Sequence, residues 1–234
     1  MSASFIPERK QYSIVLIGQF SPAMFQPEWF YRNNIISLEE MDFARNQSST
    51  CPIIVTPQLT LFKTSQFSVK IEQRRFQIVA EKEPAIILKD FIVKTFENLG
   101  GLSINAFGFN FSAHYQINSI SDYHKIGDRL NPKKYWESLL GDEVSGDDRK
   151  SGLTSLQVQK TKKDVNGQIS VTFQPSAYIK PGVYIACNDH TNIFDEDSSA
   201  ERVTETIEKE FEKSIANLQN IQLNILTEVI KADE

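Results

Sequence analysis

The three histidines of the chain are the side chains best suited to acid–base or metal chemistry. His114 falls on the polar side of a strongly alternating segment, and His124 follows Asp122 near the expected start of a helix. If that strand and helix fold back on each other, two imidazoles and a carboxylate meet around a metal ion, as in a metal-assisted hydrolase. Solvated surface histidines account for the same residues, and no H-E-x-x-H sequence favours the metal.

An acidic segment after the last expected strand is a second metal candidate. Its members are Asp189, His190, Asp195 and Asp197. Closely spaced carboxylates suit oxygen-ligated cations, but the segment lacks the spacing and the glycine of an EF-hand. Negative side chains also stabilise the N-terminus of a following helix through its dipole, and we favour this interpretation. We therefore expect no bound cofactor.

Basic side chains mark the expected turns of two hairpin systems. They are Arg74, Arg75, Lys160, Lys162 and Lys163. Two such arms could reach toward nucleic acid, which makes a nucleic-acid-binding module another function to consider. The formal net charge of −5 gives no long-range attraction to a phosphate backbone. Charged hairpin tips also discourage strand-to-strand aggregation, and we favour that role.

The polar side of the alternating segment forms a regular row of hydrogen-bond donors and acceptors. The row consists of Asn110, Ser112, His114 and Gln116. Such a row suits a ligand or an extended strand of nucleic acid, although every half-exposed antiparallel strand carries one. It lacks the interleaved aromatic side chains on which bases stack, and this weakens the nucleic-acid interpretation.

Alternating apolar residues predict the strands that position these side chains. Alternate positions from Phe107 to Ile117 share one face of the clearest strand, and shorter alternating runs lie in residues 52–80. Asn166-Gly167 predicts a two-residue hairpin turn. The register of that hairpin places Lys160 and Lys162 on the apolar face, so we expect the hairpin tip to leave the core.

Helical periodicity predicts two principal covering helices. Pro84 opens the first, and Ser198 with Glu201 has capping-box spacing at the start of the second. The second helix could extend to Ile230, a length of ~50 Å. Its far half is apolar around a wide arc: Leu218, Ile221, Leu223, Ile225, Leu226, Val229 and Ile230. Such an arc either packs into the protein's own core or contacts another chain.

These elements predict an α+β fold with a curved antiparallel sheet. We expect two similar halves, each with strand hairpins followed by a helix, and helices packed on one face of the sheet. The N-terminal half spans residues 1–141, the C-terminal half spans 152–234, and a charged linker at 142–151 joins them within one compact unit. The alternative is a helix-grip arrangement, in which the sheet wraps round the long C-terminal helix.

No complete catalytic signature accompanies these elements, and neither cysteine belongs to a C-x-x-C unit. The leading hypothesis is therefore a non-enzymatic binding or assembly protein, whose long C-terminal helix and hairpin tips contact a protein partner or a second copy. No apolar run reaches the ~18 residues needed to cross a bilayer, and no secretory signal is visible. We expect a soluble, cytoplasmic homo-oligomer that binds protein rather than nucleic acid or membrane.

Overall fold

The computed structural model describes residues 5–46, 52–97, 99, 102–140, 152–193 and 198–231. The strands in these ranges are β1 (Pro7–Gly18), β2 (Ile54–Val55), β3 (Leu59–Lys63), β4 (Ser68–Glu72), β5 (Arg75–Ala80), β6 (Ile104–Gln116), β7 (Leu156–Thr161), β8 (Gly167–Pro175) and β9 (Gly182–Asn192). The helices are α1 (Pro27–Arg32), α2 (Leu38–Arg45), α3 (Ile86–Glu97), α4 (Ile120–Leu130), α5 (Lys134–Leu140) and α6 (Ala200–Lys231), with a 3-10 turn at Pro22–Met24.

The described strands form one open antiparallel sheet in the order β2-β3-β4-β5-β1-β6-β9-β8-β7. The central pair joins β1 to β6, so that Ile14 lies opposite Phe109. Phe109 in turn lies opposite Asp189 in β9. The predicted α+β class, the antiparallel sheet and the long C-terminal helix are confirmed.

The sheet has one buried and one open face, because side chains alternate along each strand. Ile14, Phe76 and Phe109 belong to the buried face and to the hydrophobic core. On this face α3 packs against β1 and β5, α6 packs against β6 and β9, and the two helices pack against each other. Asn110 and its neighbours in the polar row therefore lie on the open face, and they are partly exposed.

The far half of α6 packs on the protein's own sheet. Leu218 and Leu226 are fully buried. Four further apolar residues of this half are partly buried against the same core: Ile221, Ile225, Val229 and Ile230. Leu223 differs, because 37% of its surface is exposed. Intramolecular packing thus accounts for six of the seven residues of the wide apolar arc, and Leu223 is the exception.

A buried amide fixes how α6 sits on the sheet. Gln222 is fully buried, and its amide nitrogen donates to the backbone carbonyls of Phe111 (3.1 Å) in β6 and Ile185 (3.0 Å) in β9. Its carbonyl oxygen accepts the hydroxyl proton of Tyr115 at 2.8 Å. Both donors and the acceptor of the amide are satisfied, so its burial carries little penalty. The helix is therefore held in register with both strands.

The prediction of a two-residue turn at Asn166-Gly167 is wrong. Thr161 pairs with Gln168, so residues 162–166 form the loop between β7 and β8 and Gly167 already belongs to the strand. A Cβ atom at Gly167 would lie 2.2 Å from the backbone carbonyl oxygen of His190, so a larger residue does not fit there. Glycine is required by the close approach of the neighbouring strand rather than by turn geometry.

Two short helices, α4 and α5, follow β6. α4 begins at Ile120, because the hydroxyl of Ser119 accepts the backbone N–H of Asp122 at 3.0 Å and caps the helix. The large apolar side chains of α5 are exposed instead of buried: Tyr135, Trp136, Leu139 and Leu140. The apolar character of that segment therefore does not serve the core.

We expect Leu226→Ala to lower the free energy of unfolding by about 2–5 kcal/mol, because it removes fully buried methyl groups and leaves a cavity. Leu223→Ala is the matched control on the same helix, and at this exposed site we expect a change of about 0.5 kcal/mol or less. Urea unfolding followed by circular dichroism measures both values. Equal losses in the two variants would contradict this packing, and an unfolding midpoint that rises with protein concentration would show that the chain associates with a second copy.

Candidate binding pocket on the open face of the sheet

The structure does not assemble His114, Asp122 and His124 into a metal site. His114 lies on the open face, where its Nδ1 is 2.9 Å from the hydroxyl of Ser176. Asp122 serves the start of α4, because its carboxylate accepts the Ser119 hydroxyl proton at 2.8 Å. Across the described ranges, no group of three or more His, Cys, Asp or Glu side chains is placed to hold a metal ion.

The acidic residues considered as a second metal site are not brought together either. Asp189 and His190 are consecutive in β9, so their side chains point to opposite faces of the sheet. The ring of His190 contacts its neighbour Asn192, with Nε2 3.0 Å from Oδ1. Asp195 and Asp197 lie outside the described residues.

The basic candidates occupy one end of the sheet but two different faces. Arg74 lies in the tight turn between β4 and β5, and Arg75 begins β5 opposite Ile17. Lys160, Lys162 and Lys163 lie in or beside the β7–β8 hairpin and line a cleft against α6. The expectation that this hairpin tip leaves the core is wrong for Lys162, because its ammonium forms an ion pair with Asp189.

A pocket that the sequence indicated only through Ser112 and His114 of the polar row lies at the opposite end of the open face. Four side chains define this aromatic pocket: Arg9, His114, Tyr178 and Tyr184. The His114 ring centre is 4.6 Å from that of Tyr184 and 4.9 Å from that of Tyr178. The Arg9 guanidinium lies 4.3 Å from the centre of the Tyr178 ring, within the range of a cation–π contact. These groups border a cavity of about 550 Å³.

Strand pairing and one loop bring these distant residues together. Arg9 lies opposite His114 in the β1–β6 pair, and His114 lies opposite Tyr184 in the β6–β9 pair. Tyr178 belongs to the β8–β9 connection, which folds over the row because the Ser176 hydroxyl accepts the backbone N–H groups of Tyr178 (3.2 Å) and Ile179 (3.0 Å). A sequence signal for the loop is the serine followed by Pro181-Gly182.

Ser176 also sets the tautomer of His114. Because its oxygen accepts two backbone N–H groups, the single hydroxyl proton is directed to Nδ1 of His114. The neutral ring therefore carries its own proton on Nε2, which has no hydrogen-bond partner within the described residues. The pocket thus presents a fixed N–H donor beside two phenol rings.

Burial, and secondly the nearby Arg9 guanidinium, lower the pKa of His114 below its ordinary value. The imidazole is consequently neutral near pH 7. Since the folded state disfavours the imidazolium, the unfolded state binds the proton more tightly. The stability that His114 contributes is present above its unfolded pKa and is lost as the pH falls below it.

The Lys162–Asp189 pair forms a second polar network, on the helix-covered face. Asp189 is 9% exposed, and its carboxylate accepts the hydroxyl proton of Ser214 in α6 at 2.6 Å. The Lys162 ammonium contacts the same carboxylate and donates to the hydroxyl of Thr191 at 2.8 Å. The network ties the β7–β8 loop to β9 and α6. In contrast, Cys187 is no candidate nucleophile, because burial raises the pKa of its thiol to about 11.

Replacement of Arg9 by glutamine should raise the pKa of His114 toward its ordinary value, because it removes the positive charge that repels the imidazolium. Burial remains, so the recovery is partial. Titration of the His114 ring by ¹H–¹³C NMR measures the shift, and the loss of stability on acidification should become smaller. Arg75→Gln, at the other end of the same face, is the control and should leave the pKa unaltered. An unchanged His114 pKa in the Arg9 variant would contradict the assignment.

Asp189→Ala leaves the Lys162 ammonium without its counter-ion, and we expect it to lower the free energy of unfolding by about 2–4 kcal/mol. Asp164→Ala in the adjacent exposed loop should change it by about 0.5 kcal/mol or less. A Lys162→Met, Asp189→Leu double variant should recover much of the loss, because neither charge is then left unpaired. Urea unfolding at pH 7 compares the three. If Asp189→Ala unfolds at the wild-type urea concentration, the ion pair contributes no stability.

The relation of this chain to known proteins adds no constraint on its role. None of the helices in the described ranges combines the length and the apolar character needed to cross a membrane. The chain matches no protein-family model, and no curated protein is significantly similar to it.

Proposed function

We propose that the chain is a non-enzymatic binding protein whose ligand occupies the aromatic pocket. The observation that carries this proposal is the convergence of Arg9, His114, Tyr178 and Tyr184 around one cavity. Its volume of about 550 Å³ is typical of a small-molecule site. Strand pairing places His114 and Tyr184 side by side, and Ser176 holds the His114 ring and the backbone of Tyr178, so these parts of the pocket need little reorganisation to receive a ligand.

The ligand class follows from the groups that border the cavity. Aromatic faces and a guanidinium favour a planar group that stacks on them. The Nε2–H of His114, the Arg9 guanidinium, the Ser112 hydroxyl and the Gln174 amide favour hydrogen-bond acceptors on that group. Glu8 and Glu81 also line the cavity and balance the charges of Arg9 and Lys10, so the lining carries no positive excess that would favour a highly charged anion. An aromatic carboxylate or a nucleobase combines these properties.

The other interpretations have less support from the described residues. A metal-assisted hydrolase lacks a placed ligand set. Contact of α6 with a protein partner or a second copy now depends on its exposed side, where Leu223 lies. Binding of nucleic acid stays a proposal, because a nucleic acid could supply the nucleobase. The polar row of β6 extends from His114 along the open face and could contact the rest of the strand.

We further propose that the sheet consists of two similar halves, with the boundary between α3 and β6 instead of the linker expected at 142–151. Each would comprise a strand, two short helices, antiparallel strands and a covering helix, and the element order agrees with this division. The strand order also agrees, because β1 to β5 lie on one side of the boundary between β1 and β6, and β6 to β9 lie on the other side. The packing of α3 on β1 and β5 and of α6 on β6 and β9 favours this arrangement over a helix grip. The aromatic pocket would then lie across the junction of the halves.

Ligand binding is tested by following the His114 ring signals in NMR while benzoate, adenosine or acetate is added. We expect saturable shifts with benzoate or adenosine and weaker shifts with acetate, which has no ring to stack. Tyr184→Leu should weaken binding of the ring-bearing probe about 2- to 10-fold, because it removes an aromatic contact. Tyr135→Ala removes an exposed tyrosine elsewhere and should have no effect.

Two results would overturn this function. One is the absence of saturable shifts with both ring-bearing probes. The other is saturable binding that Tyr184→Leu and Tyr178→Ala leave unchanged, because the ligand would then lie outside the aromatic pocket. A response to adenosine but not benzoate would favour nucleobases, and the reverse would favour aromatic acids.

A further inference from the structure

A second cavity lies on the opposite side of the sheet, between α6 and the β7–β8 hairpin. It has a volume of about 890 Å³. α6 packs on β6 and β9, whereas Val158 in β7 is 59% exposed, so the helix leaves this edge of the covered face open. Four lysines line the cavity, which we call the lysine cleft: Lys160, Lys162, Lys163 and Lys213.

One of these ammonium groups is held in place at the cleft. Lys162 contacts Asp189 and donates to the hydroxyl of Thr191 at 2.8 Å. An ammonium has three N–H donors, so one is left for a further partner. Because Asp189 is itself fixed by Ser214 at 2.6 Å, the position of the ammonium is set before a ligand arrives. Such preorganisation lowers the entropic cost of binding an anion.

The remaining charges give the lysine cleft a positive excess. Asp189 neutralises Lys162, and Glu210 lies 3.7 Å from Lys213. Lys160 and Lys163 have no ion-pair or hydrogen-bond partner within the described residues, and the loop carboxylate of Asp164 offsets one of them. A local positive excess inside a chain of net charge −5 is an electrostatic asymmetry that attracts small anions.

Apolar side chains form part of the same wall. Ile169 of β8 and Val165 of the hairpin loop border the cavity, and Val165 is 49% exposed. Amide and hydroxyl groups of Asn217, Asn220 and Thr206 complete the α6 side. The lining therefore combines cationic, apolar and hydrogen-bonding groups, which together fit a ligand with an anionic end and an apolar body.

We propose that the lysine cleft binds a small organic phosphate with an apolar body, the phosphate contacting Lys162, Lys160 and Lys163. This site is separate from the aromatic pocket, because it lies on the other face of the sheet. Simple solvation of hairpin lysines does not account for Lys162, whose side chain is only 18% exposed and is directed at Asp189. The tripodal oxygens of a phosphate suit several ammonium donors at once.

Phenyl phosphate, inorganic phosphate and phenol are suitable probes, with the backbone amide signals of Thr191 and Ser214 as reporters in NMR. We expect saturable binding of phenyl phosphate that weakens as KCl is added, because the interaction is partly electrostatic. Inorganic phosphate and phenol should each bind more weakly than phenyl phosphate. The signals of His114 should follow a different concentration dependence, which separates the two sites.

Lys160→Ala, Lys163→Ala tests the cationic contribution without leaving Asp189 unpaired. We expect this double variant to bind phenyl phosphate roughly 10-fold more weakly, while its unfolding stays as in the wild type. Lys209→Ala, on α6 but outside the cleft, is the matched control and should bind normally. Unchanged affinity in the double variant, absence of saturable shifts at Thr191 and Ser214, or inorganic phosphate binding as tightly as phenyl phosphate would each overturn the proposal. None of these outcomes bears on the aromatic pocket.

Discussion

A wide sheet with helices on one side can bury only one of its faces, and this constraint determines where chemistry can occur in this protein. α3 and α6 meet each other and cover the central strands, so the phenylalanines of β5 and β6 are enclosed. Gln222 joins β6 to β9 from the α6 side and fixes the lateral position of that helix. α6 does not cover the β7–β8 edge of the sheet, and the space beside the helix at this edge is the lysine cleft. The uncovered face has to be polar, and there the aromatic pocket forms.

Much of the fold follows from periodicity, because burial on one face imposes it directly on the sequence. The alternation from Phe107 to Ile117 predicts β6, and the helical repeat after Ser198 predicts α6. Periodicity does not reveal which strands a helix covers. The sequence of the far half of α6 was therefore equally compatible with packing in the core and with contact with another chain. Gly167 shows the same limit, since the need for glycine there comes from His190 in the next strand, across a loop and in a different part of the sequence.

The candidate sites were harder to predict than the fold, because residues distant in the sequence create them. His114 was singled out for its chemistry, but its partners Arg9, Tyr178 and Tyr184 come from another strand, a loop and a third strand. Their contacts follow from strand order, which no local pattern contains. The contacts of Lys162 could not be predicted locally either, because the register of its hairpin suggested that the hairpin tip is solvated. Pairing with Asp189 instead turns the lysine inward and gives the two faces of the sheet different electrostatic character.

The strand order also leaves the sheet with two unlike borders. At one border β2 is only two residues long and lies between Pro52 and Pro57, which have no N–H to offer an incoming strand. At the other, β7 extends over six residues, with Gln157 and Gln159 on its outer stretch. An antiparallel partner strand from an identical molecule would occupy this border in both copies at once. Edge pairing through β7 would therefore stop at a two-fold pair, because each outer β2 strand is two residues long and flanked by prolines.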